Sequence, residues 1–150
     1  LKSCFAVLRG FLPLMIAFGL FAGSSAHAQE DPTRDVFTVV TSESSETQMM
    51  AMVLSNQALN KGADVRVLLC DGGGTLGVKG EQFPSFAPAD RTPQQLLSRL
   101  IAEGATVEVC AIFLPNSDYD EADLIDGVGI AKPSPIAEHM LKEDVRYFTF

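Results

Sequence analysis

The run Asp64-Val-Arg-Val-Leu-Leu-Cys70 constrains the fold more than any other stretch of the chain. Valine and leucine occupy both parities of this run, so it leaves no wet face of the kind a half-buried strand shows. Strands like this belong to parallel sheets covered on both sides. Parallel neighbours cannot be joined by a tight turn, and each pair needs a crossover of about a dozen residues or more. Helices must therefore stand between the strands, and the sequence supplies them.

A β-rich run from Asp35 to Thr41 reads as the first strand. A helix follows from about Thr47 to Asn60, with Met49, Met52, Val53 and Leu59 at helical spacing and Lys61-Gly62 as a stop. After the Asp64–Cys70 strand comes a long loop to Arg91, rich in glycine at first and then carrying Phe83, Pro84, Phe86 and Pro88. Thr92-Pro93-Gln94-Gln95 places Thr at an N-cap, Pro at N1 and Gln at N3. Leu96, Leu97, Leu100 and Ile101 make the buried face of that helix, and Gly104 closes it. Thr106 to about Phe113 is a third strand, Asp120 to Ile125 a helical turn and a half, and Val128 to Ala131 a short fourth strand. Ser134-Pro135 opens a last helix to about Lys142, and Val145 to Phe150 is the fifth strand. Helices between successive strands specify an α/β domain, three-layered α/β/α, on a five-stranded parallel sheet with right-handed crossovers.

The first 28 residues stand apart. Lys2 and Arg9 precede an apolar stretch from Phe11 to Ala22, and Ala26-His27-Ala28 is a small-residue exit. That order describes a secretory signal peptide, with export to the periplasm the expected destination. The apolar stretch is short for a bilayer span, so no stable membrane span is expected after cleavage. Residues 29–35 read as a mature N-terminal tail and 36–150 as a single domain. The mature part holds nine basic and 19 acidic residues, a net charge of −10. So acidic a chain is a poor partner for nucleic acid or anionic membranes.

Several motifs invite chemistry and fail on spacing. Gly72-Gly-Gly-Thr-Leu-Gly77 matches G-x-G-x-x-G after a strand, but no helix opens at once to face a pyrophosphate. A flexible loop at the carboxyl edge of the sheet is the expectation. Asn116 to Glu121 resembles the start of a calcium loop, yet Glu121 stands where glycine is needed and Gly127 where glutamate is needed. Met49, Met50 and Met52 suggest packing more than a soft-metal site. His139 lies off the face of Ile136, Ala137, Met140 and Leu141, which predicts an exposed, passive side chain. No cofactor and no metal centre are expected.

Cys70 and Cys110 remain, each at the end of an apolar strand. In an open parallel sheet the carboxyl ends of strands are where ligands and reactive groups collect. Each is either a small buried hydrophobe or a thiolate activated by nearby loop groups. If their strands are neighbours, the two sulfurs come within reach; a disulfide needs Cα atoms within about 7 Å.

Ala58 to Gly72, Gly104 to Cys110, Asp123 to Val128 and the closing Val145-Arg-Tyr-Phe-Thr-Phe together resemble the DsrE/DsrF-like family of sulfur-relay and YchN-like proteins. The resemblance runs from about Val36 to Phe150. It implies a five-stranded parallel α/β/α fold, assembly into homotrimers or hexamers, and a persulfide-carrying cysteine at the end of the third strand, here Cys110. The expectation is an exported sulfur or thiol protein. Cys110 is its candidate sulfur-carrying or redox thiol, Cys70 the candidate resolving thiol, and a thiol or persulfide protein the partner. Two readings compete with it. One is a non-catalytic oligomeric module with structural cysteines and a partner-docking loop at Phe83 to Pro88. The other is a soft-metal protein using Cys70, Cys110 and the methionines.

Overall fold

Apolar runs at Asp35–Val40 (β1), Asp64–Leu69 (β2), Thr106–Val109 (β3), Val128–Ile130 (β4) and Val145–Thr149 (β5) pair into one sheet. The computed structural model describes residues 35–150, so the expected signal peptide and the tail up to residue 34 lie outside the described residues. All four strand pairings are parallel, in the order β4-β3-β2-β1-β5. The α/β class with a five-stranded parallel sheet is the fold found.

This order decides how the faces are covered. The chain steps from β1 to β2 to β3 to β4 in one direction, and right-handed crossovers put all three connections on one face. Helix α1 (Ser45–Asn60) and helix α2 (Pro93–Ala102) lie there. They bury Ala51, Met52, Leu97 and Leu100 against Val36, Val40, Val67, Leu69, Val107 and Val109. The last crossover returns from one edge to the other, so helix α3 (Pro133–Met140) falls on the opposite face. There Ile136 meets Phe37, Leu68, Ala131 and Val145, and Cys70 and Cys110 border the same cluster. One eight-residue helix covers this face thinly.

Of the stripe expected on helix α1, Met52 is fully buried and Leu59 packs against the core, while Met49 and Val53 are only half-buried. Gln48, Ala51, Met52, Ser55 and Asn56 face the sheet, while Met50 and Leu54 are exposed. Each polar member of the stripe has a partner for at least one side-chain atom, while Gln48 Oε1 and Asn56 Oδ1 have none. The Ser55 and Thr38 hydroxyls lie 3.0 Å apart. Asn56 Nδ2 donates to the carbonyls of Met52 at 2.8 Å and Leu96 at 3.1 Å, tying α1 to α2. Gln48 Nε2 donates to the Ser42 carbonyl at 2.9 Å.

Helix α2 starts as its sequence predicts. Thr92 Oγ1 accepts from the Gln95 N–H, and Gln95 Oε1 accepts from the Thr92 N–H, a complete capping box. Helix α3 instead opens at Pro133 after Lys132, so Ser134 is not its cap. The expected turn and a half at Asp120–Ile125 is a single 3-10 turn, Glu121–Asp123, held by reciprocal Asp120 and Asp123 caps. Among the described residues, no helix is long and apolar enough to cross a membrane.

Candidate functional site

The two cysteines stand side by side at the carboxyl edge of the sheet. Leu69 is paired with Val109 in the β2–β3 register, so the next residues, Cys70 and Cys110, leave adjacent strands together. Strand β3 stops at Val109, short of the expected Phe113, and Cys110 is the first residue beyond it. Both backbones stay anchored. The Cys70 N–H donates to the Val40 carbonyl at 2.8 Å, and the Cys110 N–H to the Leu69 carbonyl at 2.7 Å. Both thiols are free and half-buried.

The turns after the two cysteines shape the space in front of them. Asp71 adopts a left-handed conformation at φ 49°, which turns the chain sharply off β2. Aspartate tolerates that region better than most residues because its short polar side chain bonds locally. The expected flexible glycine loop is a 3-10 turn, Asp71–Gly77, with Gly73, Gly74, Leu76 and Gly77 buried. Two of its glycines exist for close approach. A Cβ at Gly73 would run into the Val40 carbonyl, and one at Gly74 into the Phe113 ring. The glycines let the turn pack down beside the cysteines, which accounts for them without a phosphate ligand. After Cys110, Phe113 donates its N–H back to the Cys110 carbonyl at 2.9 Å, closing a second tight turn. Its ring stacks on Tyr119 with centroids 6.1 Å apart.

Between these turns lies an open cleft of about 630 Å³. Cys70, Cys110, Asp71, Ile112, Phe113 and Asn116 are among the residues that line it. Ile112 is 70% exposed at its mouth. Among the described residues, no lysine or arginine lines the cleft.

The electrostatics separate the two thiols. Burial pushes the Cys70 thiol up to about 12, with Cys110 adding to the rise as hydrogen-bond partner and as like charge, and Asp71 as a further negative charge. Cys70 therefore keeps its proton at any physiological pH. The two sulfurs are near enough for Cys110 to act on Cys70 as a hydrogen-bond partner. Asp71 and Phe113, which shape this setting, were not singled out by sequence reasoning. An aspartate directly after a strand-end cysteine was the available signal for the first, and nothing local pointed to the second.

The other sequence candidates resolve elsewhere. Met52 is core, and Met49 and Met50 lie on α1, which packs on the face of the sheet away from the cysteines. The soft-metal constellation of cysteines and methionines is therefore not assembled. Among the described residues no group of three or more His, Cys, Asp or Glu could hold a metal ion. The acidic loop from Asn116 spends Asp120 and Asp123 on capping a turn. His139 is not the exposed residue expected. It is half-buried, meets Phe37 edge-on with centroids 5.3 Å apart, and its buried Nε2 has no hydrogen-bond partner. The physical reason is the thin α3 layer, which lays the ring on the sheet beside β1. Burial, with Arg66 second, lowers its pKa.

Comparison with known proteins places this architecture. The ychN protein from E. coli superposes with a TM-score of 0.66 at 24% identity, over 79% of this chain and 99% of that one. MTH1491 from Methanobacterium thermoautotrophicum, a protein of unknown function, superposes with a TM-score of 0.56 at 18% identity, over 78% and 98%. In sequence, the uncharacterized protein MK0008 of Methanopyrus kandleri is 30% identical over 115 residues, which are 73% of this chain and 90% of that protein. No family model matches the chain.

Proposed function

The chain belongs to the DsrE/YchN-like family, and from that premise we propose that it handles sulfane sulfur through Cys110, as a persulfide carrier or redox thiol. The observation that supports this reading is the pairing of two free cysteines at the ends of β2 and β3, lining an open cleft. A buried, inert cysteine needs no cleft. Cys110 is the reactive member because Cys70 is held protonated, and the thiolate is the nucleophile in sulfur exchange.

In the proposed step the Cys110 thiolate attacks the outer sulfur of a donor persulfide, R–S–SH. A new S–S bond forms at Cys110 as the donor's S–S bond breaks. The donor leaves as R–S⁻, and Cys110 holds the sulfur as Cys110–S–SH. The leader's export to the periplasm, homo-oligomeric assembly as a trimer or hexamer, and a thiol-bearing partner protein belong to the same proposal. Fractionation of cells and sedimentation of the purified chain test the first two.

The decisive test of the chemistry is mass spectrometry under non-reducing conditions after exposure to glutathione persulfide. Sulfur added at Cys110, and absent from Cys110→Ser, supports the reading. An unmodified Cys110 in folded protein ends it.

A second reading rests on another surface. Between α1 and the segment 86–91 runs a groove of about 450 Å³, largely apolar and lined by Met49, Met50, Val53, Phe86, Pro88 and Leu96 among others. It favours a non-catalytic binding module in which both cysteines only pack. Cysteines that resist every thiol reagent until the chain unfolds decide for this module.

A further inference from the structure

We infer that Cys70 discharges the sulfur taken up by Cys110 as hydrosulfide, closing a Cys70–Cys110 disulfide, so that the site reduces sulfane sulfur rather than only passing it on. This rests on the reading of Cys110 as the sulfur-accepting thiol, and deepens it.

Three features carry the inference. The first is register. Cys70 and Cys110 directly follow the paired residues Leu69 and Val109 on adjacent parallel strands. Adjacent strands lie about 4.8 Å apart, inside the Cα separation of about 4.4–6.8 Å at which disulfides form. Both backbones are anchored by hydrogen bonds to the neighbouring strand, so no loop has to move for the bond to form. The second is the charge around the cleft. A persulfide ionises readily, and a neighbouring cation would favour its anion. Among the described residues, the lining of this cleft supplies the Asp71 carboxylate and no lysine or arginine. An anionic persulfide here is poorly stabilised. The third is the proton on Cys70, retained through burial and through Cys110 itself.

Atoms and electrons balance in this step. Cys70–SH and Cys110–S–S⁻ give Cys70–S–S–Cys110 and HS⁻. The Cys70 sulfur attacks the inner sulfur of Cys110, forming one S–S bond, and the bond to the outer sulfur breaks. The Cys70 proton moves to the departing sulfur. Both cysteine sulfurs are oxidised, and the sulfane sulfur is reduced by two electrons. The small thiolate fraction of Cys70 slows attack, and its fixed position beside the target offsets that, since well-oriented intramolecular partners reach very high effective concentrations. A dithiol reductant must then reopen the disulfide by exchange to restore the two thiols.

The test uses the full chain, reduced and freed of reductant, mixed with glutathione persulfide. Hydrosulfide and the mass of each cysteine-containing peptide are followed in time, with glutathione persulfide alone as the blank. The wild type is expected to release a stoichiometric burst of hydrosulfide and end with Cys70 and Cys110 joined. Cys70→Ser and Cys70→Ala, two substitutions in case one folds poorly, are expected to lose the burst and accumulate sulfur on Cys110. A wild type that keeps the added sulfur on Cys110 as long as the Cys70 variants do, with no internal disulfide, overturns the inference and leaves the carrier reading standing. If Cys110 takes no sulfur in any of these proteins, the carrier reading falls and the inference with it.

Discussion

At the scale of single residues, the cysteine site depends on small groups that permit close approach, and a histidine on α3 gives the fold a pH dependence. Gly73 lies against the Val40 carbonyl, which itself accepts the Cys70 N–H. Gly73→Ala forces backbone apart directly beside Cys70, and overpacking of this kind costs about 1–3 kcal/mol. Chemical denaturation is expected to show that loss, together with faster labelling of Cys70 as its anchor loosens. His139 gives a pH dependence with a definite sign. Its folded pKa lies below the ordinary value of 6.5, because burial and then Arg66 disfavour the charged ring, with Lys142 acting the same way and Asp35 and Asp144 opposing. The unfolded chain therefore takes up the proton first as pH falls. The stability is fully present above about 6.5 and is lost as pH drops from there through the lower folded value. Denaturation midpoints measured between about pH 7.5 and 5.5 are expected to decline in the wild type and to flatten in His139→Phe.

At the scale of elements, the helices differ in how far their sequences disclosed them. Helix α2 was legible to the residue, because Thr92, Pro93 and Gln95 are local signals acting on their own backbone. Thr92→Ala removes the cap and is expected to cost about 1 kcal/mol in thermal unfolding. Helix α1 was legible in extent and only in part in orientation. Its periodicity pointed to Met49, Met52, Val53 and Leu59, of which Met52 is buried, and it passed over Gln48, Ser55 and Asn56, which are buried too. Tertiary partners decided that face. Thr38 on β1 waits for Ser55, and the Leu96 carbonyl on α2 for Asn56, and no window of sequence contains both members of either pair. Asn56→Ala removes both of its hydrogen bonds, at about 0.5–1.5 kcal/mol each, an expected loss of about 1–3 kcal/mol.

At the scale of the whole molecule, topology turns an ordinary sequence signal into a site. The apolar runs announced a parallel sheet, and helices between strands announced its crossovers. Strand order was not written locally. It came from which strands pair, and it is strand order that sets Cys70 beside Cys110 and confines α3 alone to their face. The sequence therefore offered two strand-end cysteines with no means of placing them together. It also hid the compact turn after Cys70, because six residues rich in glycine look flexible until Val40 and Phe113 close on them. The central claim is that this arrangement leaves Cys110 reactive in the folded protein and keeps Cys70 protonated. Native-state alkylation, with each cysteine followed separately by peptide mass across a range of pH, tests it most directly. Cys110 is expected to react in the folded chain, while Cys70, pushed up to about 12, stays unmodified until denaturant is added. Alkylation of Cys70 ahead of Cys110, or protection of both until unfolding, contradicts the account.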